Sequence, residues 1–338
     1  MPFAVKHALK RMLTLPRRLA RGRIRAERAR VGQRRRILVV ARDPLMANYG
    51  NMVTRTLDPQ DADIFRASTL TDVIRASLHW WDLVIFTDHG TALLFAPAVP
   101  KLFVGHGFGS GKIVDGQPYR HGPQWTLDRD RSCLYDVILE PSARAVSCAN
   151  AINPALAPHL RVVGDPIVDR LTEMSQDRVA CRARLGLTET ASATLMISTW
   201  GPHALVTAPG FWSLLENALN TQNVLLSVHP RQWSSALAER ATALGAHVLS
   251  PSDDWRPAIV ACDQAVVDHT AMSLYVAAMG KPVSFGPIPG SQLDPRSLEA
   301  ALRRCKKGSA YATFTQSLVD HRGASTQQIR AVVLDLLT

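Results

Sequence analysis

Short runs of apolar residues alternate with stretches of helical pattern along most of this chain. In the first half, the apolar runs that predict strands lie at 37–40, 61–68, 82–88, 101–107, 136–142 and 161–166. Helical patterns lie between them, most clearly at 71–80 and 143–151. Because strands covered on both faces read as continuous apolar runs, this alternation predicts a parallel sheet with helices on both sides.

The alternation restarts after a polar, helix-prone stretch at 170–187, which we interpret as a connection. Further strands are predicted at 194–200, 223–230, 247–252, 264–269 and 282–287. Helices are predicted between them at 211–219, 234–244, 255–261 and 271–279, with a last helix at 327–337. We therefore predict an α/β protein with two doubly wound, Rossmann-like domains, residues 36–172 and 188–338, that face each other across a cleft.

The positive charge of the chain is concentrated at its N-terminus. The length of 338 residues suggests about two domains, and the formal net charge is +11. Residues 1–36 hold 13 Lys and Arg against the single acid Glu27, whereas the other 302 residues hold 26 bases and 27 acids. The globular body is thus nearly neutral, which argues against a broad basic surface for nucleic acids.

The N-terminal residues 1–35 have the pattern of a basic amphipathic extension. Apolar residues between Val5 and Leu13 recur at helical spacing, and Pro16 predicts the end of that helix. We predict that this extension lies on an anionic membrane surface, where each basic residue contributes about 1 kcal/mol. A solvated leader and a non-specific RNA contact remain alternatives. The residues predicted to face the membrane surface are Lys6, Lys10, Arg11, Arg17 and Arg18.

The cysteines and the hydropathy of the chain indicate its compartment. The five cysteines form no Cys-x-x-Cys pair and their number is odd, which favours free thiols in a reducing environment. No apolar run reaches the roughly 18 residues that a membrane span needs, and no signal-peptide core follows the basic start. We predict a cytoplasmic protein, peripheral at the inner face of the cell membrane.

A glycine-rich loop follows the predicted strand at 101–104. Its glycines allow backbone amides to approach an anion, and the loop carries a histidine where a general base can stand. The spacing fits neither the Walker A motif nor Gly-x-Gly-x-x-Gly, which excludes those two nucleotide-binding loops. The candidate residues are Gly105, His106, Gly107, Gly109, Gly111 and Lys112.

Three more strand ends carry polar residues, and ligands of open parallel sheets bind at such ends. Hydroxyls, a histidine, an arginine and a helix N-terminus can contact a phosphate. Ordinary capping of turns and helices is the alternative for the hydroxyls and for the aspartate. The candidates are Ser198 and Thr199, then His229 and Arg231, then Asp268, Thr270 and Ser273.

Two Asp-x-Asp sequences, at 61–63 and 128–130, have the pattern that many metal-dependent glycosyltransferases use. The first precedes a strand and the second lies in a predicted loop, so we interpret both as solvated charge. Histidines show neither His-x-His nor His-Glu-x-x-His spacing. We predict no metal site and no cofactor.

Taken in chain order, these strand ends resemble the motifs of the CDP-glycerol glycerophosphotransferase family, which builds teichoic-acid-type chains. Asp268-His269-Thr270-Ala271 and the later Gly280-Lys281-Pro282 resemble the family's Asp-Tyr-Ser-Ser and Gly-Lys-Pro at the same spacing. Further matches, in family order, include His106-Gly107 with its His-Gly-Thr loop, Gly164-Asp165-Pro166 with its Gly-x-Pro turn, and His229-Pro230 with its His-Pro. The notable others are Lys112 near the family's lysine, 195–200 with the strand and turn that open its second half, and 254–263 with its short acid-led helix. The resemblance covers residues 80–285.

The resemblance implies a GT-B-like fold and a diverged member of the family. It implies that His106 accepts the proton of the acceptor hydroxyl and that His229 contacts the donor phosphate. The donor would be CDP-glycerol or a related nucleotide-linked molecule, and the acceptor a lipid-linked or polymer hydroxyl in the cell envelope. The sequence departs from the family motifs at Phe108, Ile167, His269, Ala271 and Tyr275.

Four alternatives stay open from the sequence. A GT-B glycosyltransferase would use a nucleotide sugar and release a nucleoside diphosphate. A sugar-nucleotide epimerase of similar fold would need no acceptor. A non-catalytic protein of the same fold would bind a nucleotide or a membrane surface without turnover. An RNA-binding protein would bind through residues 1–36 alone, in a salt-sensitive way.

Overall fold

A computed structural model describes residues 34–338, apart from 43, 59, 61, 106–112, 115, 119, 287–293 and 306–307. The predictions made for the N-terminal extension, including its membrane-facing residues, therefore lie outside the described residues.

The first lobe is built on a six-stranded parallel sheet in the order β2-β1-β3-β4-β7-β8. A small antiparallel hairpin, β5 and β6, follows β4. The strands are β1 (Arg35–Val40), β2 (Ala62–Ala67), β3 (Leu83–Phe86), β4 (Lys101–Phe103), β5 (Ile113–Val114), β6 (Gln117–Pro118), β7 (Val137–Glu140) and β8 (Leu160–Val162).

Helices cover both faces of this sheet, as the continuous apolar strands predicted. Leu38 and Val40 of β1 belong to one buried cluster, and Ile37 and Val39 belong to the cluster on the opposite face. The helices are α1 (Pro44–Thr54), α2 (Leu70–Ala76), α3 (Pro123–Thr126) and α4 (Ala143–Ile152).

The structure places α1 where the sequence indicated only an amphipathic segment near 52–57. Gly50 of α1 packs directly on β1, because a Cβ at Gly50 would collide with the side chain of Val39. Thr69 caps the start of helix α2, and its hydroxyl and Asp72 form a capping box. It ends at Ala76, earlier than the predicted residue 80, since Trp80 and Trp81 are buried beyond a turn.

The second lobe contains a five-stranded parallel sheet in the order β11-β10-β9-β12-β13. The chain leaves β9 toward β10 on one side and returns to β12 on the other, so the gap between β9 and β12 is the topological switch point. The strands are β9 (Ala193–Ser198), β10 (Asn223–Val228), β11 (His247–Leu249), β12 (Gln264–Val267) and β13 (Val283–Phe285). The prediction of two doubly wound α/β halves is confirmed.

Nine helices are described from the connection to the C-terminus. The prediction included neither α11 nor α12. The helices are α5 (Pro166–Ser175), α6 (Arg178–Arg184), α7 (Phe211–Leu219), α8 (Ser235–Ala243), α9 (Arg256–Ala261), α10 (Met272–Ala278), α11 (Leu298–Arg304), α12 (Ser309–Gln316) and α13 (Ser325–Leu337).

The chain crosses between the lobes twice. Helices α5 and α6, which form the predicted connection, bury Leu171 and Cys181 in the core that holds Ile259 of α9. Helix α13 returns to the first lobe, where Ile329 and Val333 join the buried cluster on one face of the first sheet. The range predicted for the second domain includes this helix, but its apolar stripe covers the first sheet.

Candidate active site

The strongest polar cluster of the second lobe lies at the switch point between β9 and β12. Asp268 follows β12 and is 1% exposed. Its Oδ2 accepts hydrogen bonds from the Thr199 amide at 2.7 Å and the Leu205 amide at 2.9 Å. The Ser198 hydroxyl lies 3.3 Å from the same oxygen. One carboxylate thus holds the whole loop that follows β9 in place.

Burial raises the pKa of Asp268 to about 6, although the amides of Leu205 and Thr199 act in the opposite direction. The sequence predicts that Asp268 contacts the donor phosphates. In the structure its carboxylate is turned to the protein's own amides, and a second anion beside it would be repelled. Asp268 therefore shapes the loop, and that it also contacts the donor phosphates stays a prediction.

The predicted hydroxyls divide into buried and half-buried groups. Ser198 is 2% exposed, and its hydroxyl also accepts the Val206 amide at 3.2 Å. Ser273 is fully buried and donates to the Thr270 carbonyl at 2.7 Å. Thr270 is half-buried, and its hydroxyl accepts a hydrogen bond from the Met272 amide at 3.3 Å. This contact is the helix capping that the sequence left open as the alternative to phosphate binding. The hydroxyls of Ser198 and Ser273 are thus used inside the protein, because both side chains face inward.

An arginine, a histidine and a tryptophan form a second group at the same edge of the sheet. The Arg231 guanidinium lies 4.9 Å from the ring centroid of Trp200, within the range of a cation–π contact. The Arg231 amide donates to Nδ1 of His229 at 3.1 Å, so the neutral imidazole carries its proton on Nε2. The ring centroids of Trp200 and His229 lie 6.3 Å apart. This arrangement holds an exposed cation at the strand ends, where it can bind a phosphate.

The start of the glycine-rich loop is described only at Gly105. Its φ of +72° is in the left-handed region, and a Cβ there would lie 3.1 Å from Nη1 of Arg120. Glycine is required by both the conformation and the close approach. The predicted residues His106, Gly107, Gly109, Gly111 and Lys112 lie outside the described residues. That His106 and His229 share one cleft stays a prediction.

A buried charged cluster beside Gly105 was missed by the sequence reasoning. Nε2 of His121 lies 2.8 Å from Oε1 of Glu140, the last residue of β7, and Nη2 of Arg120 lies 3.3 Å from the same oxygen. Burial acts to raise the pKa of Glu140, but Arg120 and His121 outweigh it and the pKa is lowered. Two features of the sequence could have indicated this cluster. They are the acid Glu140 at the end of an apolar strand and the pair His121-Gly122.

A complete His-Gly-Thr sequence, residues 89–91, also lies at a strand end that the sequence reasoning passed over. His89 is buried and stacks on Phe103 with the ring centroids 4.2 Å apart. Its Nδ1 lies 3.3 Å from the Tyr135 hydroxyl, and Asp88 pairs with Arg42 at 2.5 Å. The edge of the first sheet thus carries several ionisable side chains.

The two lobes are joined by a hydroxyl–carboxylate contact. The hydroxyl of Tyr275 in α10 lies 3.2 Å from the Tyr49 hydroxyl of α1. The same Tyr275 hydroxyl donates a hydrogen bond to the Asp165 carboxylate at 3.3 Å. Burial raises the pKa of Asp165 to about 6, and burial raises the pKa of Tyr49 as well. Tyr275, which stands where the family has an acid, links the helix after Thr270 to the first lobe.

The two Asp-x-Asp sequences have structural partners in the part of the chain that is described. Asp128 accepts the amides of Asp130 and Ser132, both at 2.9 Å, and so shapes a turn. Asp63 pairs with Arg34 at 3.3 Å on the surface. Among the described residues, no group of three or more His, Cys, Asp or Glu is placed to hold a metal ion.

Within the same described residues, no helix has the length and apolar character required to cross a bilayer.

No protein-family model matches the sequence, and no curated protein matches it. Solved structures do match. The wall teichoic acid polymerase TagF, soaked with CDPG, has a TM-score of 0.62 at 13% identity over 98% of this chain and 95% of that chain. The UDP-GlcNAc 2-epimerase from Neisseria meningitidis, bound to UDP-GlcNAc, has a TM-score of 0.54 at 12% identity over 89% of this chain and 99% of that chain.

The S. aureus protein MnaA, in a structure with UDP, matches equally well, with a TM-score of 0.54 at 12% identity over 89% of this chain and 97% of that chain. The motif resemblance to enzymes of teichoic-acid-type polymers thus agrees with similarity to a teichoic acid polymerase. At these identities the likeness defines the fold. The chain has the GT-B fold of TagF and of the UDP-GlcNAc 2-epimerases, and it is a diverged member of that fold.

Proposed function

We propose that this protein is a GT-B transferase that takes a nucleotide-diphosphate-activated donor and transfers glycerol phosphate, or a related polyol phosphate, to a hydroxyl acceptor in the synthesis of a cell-envelope polymer. The observation that supports it is the organised edge of the second sheet. There Asp268 orders the loop after β9, and Arg231 is held on Trp200 beside His229. Such an edge at a switch point is where Rossmann-like domains bind nucleotides.

The structural likenesses support the same class of donor. The TagF structure contains CDPG and the Neisseria epimerase contains UDP-GlcNAc, which are nucleotide-linked molecules. Arg231 and the backbone amides near Thr270 would neutralise the donor phosphates, and no metal or cofactor is proposed. The family resemblance assigns the acceptor's proton to His106 and contact with the donor phosphate to His229.

A second candidate, transfer of a sugar from a nucleotide sugar, is favoured by the likeness to the UDP-GlcNAc 2-epimerases. The two reactions release different nucleotides. Transfer of glycerol phosphate from CDP-glycerol releases CMP, whereas transfer of a sugar releases a nucleoside diphosphate. A thermal-shift screen with CDP-, UDP-, GDP- and CMP-linked ligands identifies the donor, and chromatography of the released nucleotide identifies the reaction. Release of a nucleoside diphosphate alone would reject the phosphotransferase.

Ligand binding and turnover measured together distinguish the three remaining alternatives, which are an epimerase, a binding protein and an RNA-binding protein. An epimerase would convert the nucleotide sugar without any acceptor. A binding protein would be stabilised by the ligand and release no nucleotide. Binding of RNA alone, lost in high salt, would indicate the RNA-binding alternative.

Replacing Arg231 with alanine is expected to weaken donor binding about 10- to 100-fold, because a charged hydrogen bond contributes roughly 1.5–3 kcal/mol. Isothermal titration with the donor identified in the screen measures the change. Arg240→Ala is the matched control, since Arg240 of α8 also lies over a tryptophan, 3.9 Å from the ring centroid of Trp212. Equal affinities of wild type and Arg231→Ala would remove Arg231 from the donor site.

We also propose that the basic extension brings the protein to an anionic membrane surface, where a lipid-linked acceptor would be found. Deleting residues 1–30 is expected to abolish sedimentation with anionic vesicles at low salt, because most of the excess charge of the chain is lost with them. Neutral vesicles are the control. Unchanged sedimentation of the truncated protein would reject the membrane anchor.

A further inference from the structure

The histidine–carboxylate pair at the edge of the first sheet is the best-formed acid–base arrangement among the described residues. His121 is 7% exposed, Arg120 is 6% exposed and Glu140 is 2% exposed. Buried charged groups destabilise a fold unless they are paired, and this pair is held by a strand end and an adjoining arginine. Such a group at the ligand-binding edge of a sheet points to chemistry as well as to packing.

The geometry fixes the tautomer of His121. The Arg120 guanidinium and the His121 ring both contact Oε1 of Glu140, and the lowered pKa of Glu140 keeps its carboxylate ionised. An ionised carboxylate only accepts hydrogen bonds, so Nε2 of His121 must carry the proton. Nδ1 is then a proton acceptor, and it makes no hydrogen bond to another described residue.

A small cavity adjoins His121 at the junction of the lobes. It is lined by Cys148 of α4 and by Ser297 and Glu299 of the second lobe, as well as by the charged cluster. The cavity has room for about one water molecule, and apolar residues such as Ile152 and Leu298 line it beside these polar groups. His121 therefore lines a water-sized space between the two lobes.

Four further ionisable groups line the cavity beside this histidine. The described ionisable groups that line the cavity with His121 are Arg120, Glu140, Cys148 and Glu299. Burial raises the pKa of the Cys148 thiol, which keeps it neutral.

We propose that His121, oriented by Glu140, is a second acid–base residue of this enzyme, beside the base that the family resemblance implies. The proposal rests on the proposed transferase function. The acceptor's hydroxyl oxygen bonds to the transferred group as the bond from that group to the nucleotide phosphate oxygen breaks. The leaving nucleotide keeps the electron pair of that bond. The hydroxyl proton, which the family resemblance assigns to His106, is then passed through one water molecule in the cavity to Nδ1 of His121, which later returns it to solvent.

His121→Gln is expected to lower kcat about 10²- to 10⁴-fold, the usual contribution of general acid–base catalysis. The Kd of the donor is expected to stay within twofold of wild type, because the donor's phosphates bind in the second lobe. Glu140→Gln is expected to lower kcat at least tenfold and to shift the acidic limb of the pH profile of kcat. Glu140→Asp is expected to recover part of the activity. Steady-state kinetics across pH, with titration of the donor, measures these changes.

The matched control is His159→Gln. His159 is half-buried and lies 3.2 Å from a backbone oxygen of the same lobe, next to the start of β8 at the opposite edge of the sheet. It is expected to retain wild-type kcat and pH profile. A His121→Gln enzyme that turns over within threefold of wild type with an unchanged pH profile would overturn the proposal.

The tautomer offers a test that needs no turnover. Protein labelled with ¹⁵N-histidine is expected to show His121 with its proton on Nε2 at high pH, with assignment from the missing signals of His121→Gln. A proton on Nδ1 would overturn the proposal even if no donor is turned over. Absence of transfer with every donor, together with the expected tautomer, would instead reject the proposed function and keep the proton-accepting pair. If Glu140→Gln fails to fold, the kinetics of His121→Gln and the tautomer of His121 still test the proposal.

Discussion

Asp268→Ala is expected to lower the free energy of unfolding by about 2–4 kcal/mol and to weaken donor binding at least tenfold. The substitution leaves the amides of Thr199 and Leu205 buried without their acceptor, and each unsatisfied group costs roughly 1–3 kcal/mol. The loop after β9 would then lose the carboxylate that ties it to the end of β12. Urea denaturation and donor titration measure the two effects.

Asp268→Asn separates the hydrogen bonds from the charge. An asparagine oxygen can accept the same two amides, so this variant is expected to remain as stable as wild type at pH 7. Since the pKa of Asp268 is raised to about 6, the folded state takes up a proton more readily than the unfolded state. This group alone makes stability fall as the pH rises from about 4 to 6.

The asparagine variant is expected to lack that contribution to the pH dependence of stability, which denaturation curves between pH 4 and pH 7 reveal. Glu140, whose pKa is lowered, contributes in the opposite direction in both proteins, since its stabilisation is lost as the pH falls. Identical pH dependences for wild type and Asp268→Asn would contradict the buried, proton-binding role of Asp268.

His106→Ala is expected to lower kcat about 10²- to 10⁴-fold, because the family resemblance makes this residue the general base. An unperturbed histidine has a pKa near 6.5, which suits a base that works near neutral pH. Donor affinity is expected to change little, since we propose that the donor's phosphates bind in the second lobe. Turnover kinetics with the identified donor and acceptor measure the loss.

His247→Ala is the control for this substitution, because His247 is exposed and opens β11 at the edge of the second sheet opposite the strand ends. Wild-type turnover in His106→Ala would reject its assignment as the base. A double variant, His106→Ala with His121→Gln, shows whether the two histidines act in one proton path. If they do, the loss of kcat in the double variant is smaller than the product of the two single losses, because the effects of residues that act in one path are not additive.

The positions of the candidate site could be predicted from the sequence only in part. Ser198, Arg231 and Asp268 follow buried strands, and the general rule for parallel sheets places them at one edge. Their roles could not be predicted in the same way. An aspartate just before a helix fits anion binding, capping and loop support equally well, and only the structure shows the loop support, with the Thr199 amide 2.7 Å from the carboxylate of Asp268.

The sequence by itself determined the α/β class, the strands at 37–40 and 223–230 and the two doubly wound halves, because a strand buried on both faces must be apolar throughout. Only the tertiary structure decided which strand ends meet. His121 and Glu140 are separated by 19 residues, yet their side chains lie 2.8 Å apart. The apolar periodicity of an element indicates that the element is buried, but it does not indicate which elements lie beside it. The charged cluster of the first lobe and the packing of α13 on the first sheet could therefore be seen only in the tertiary structure.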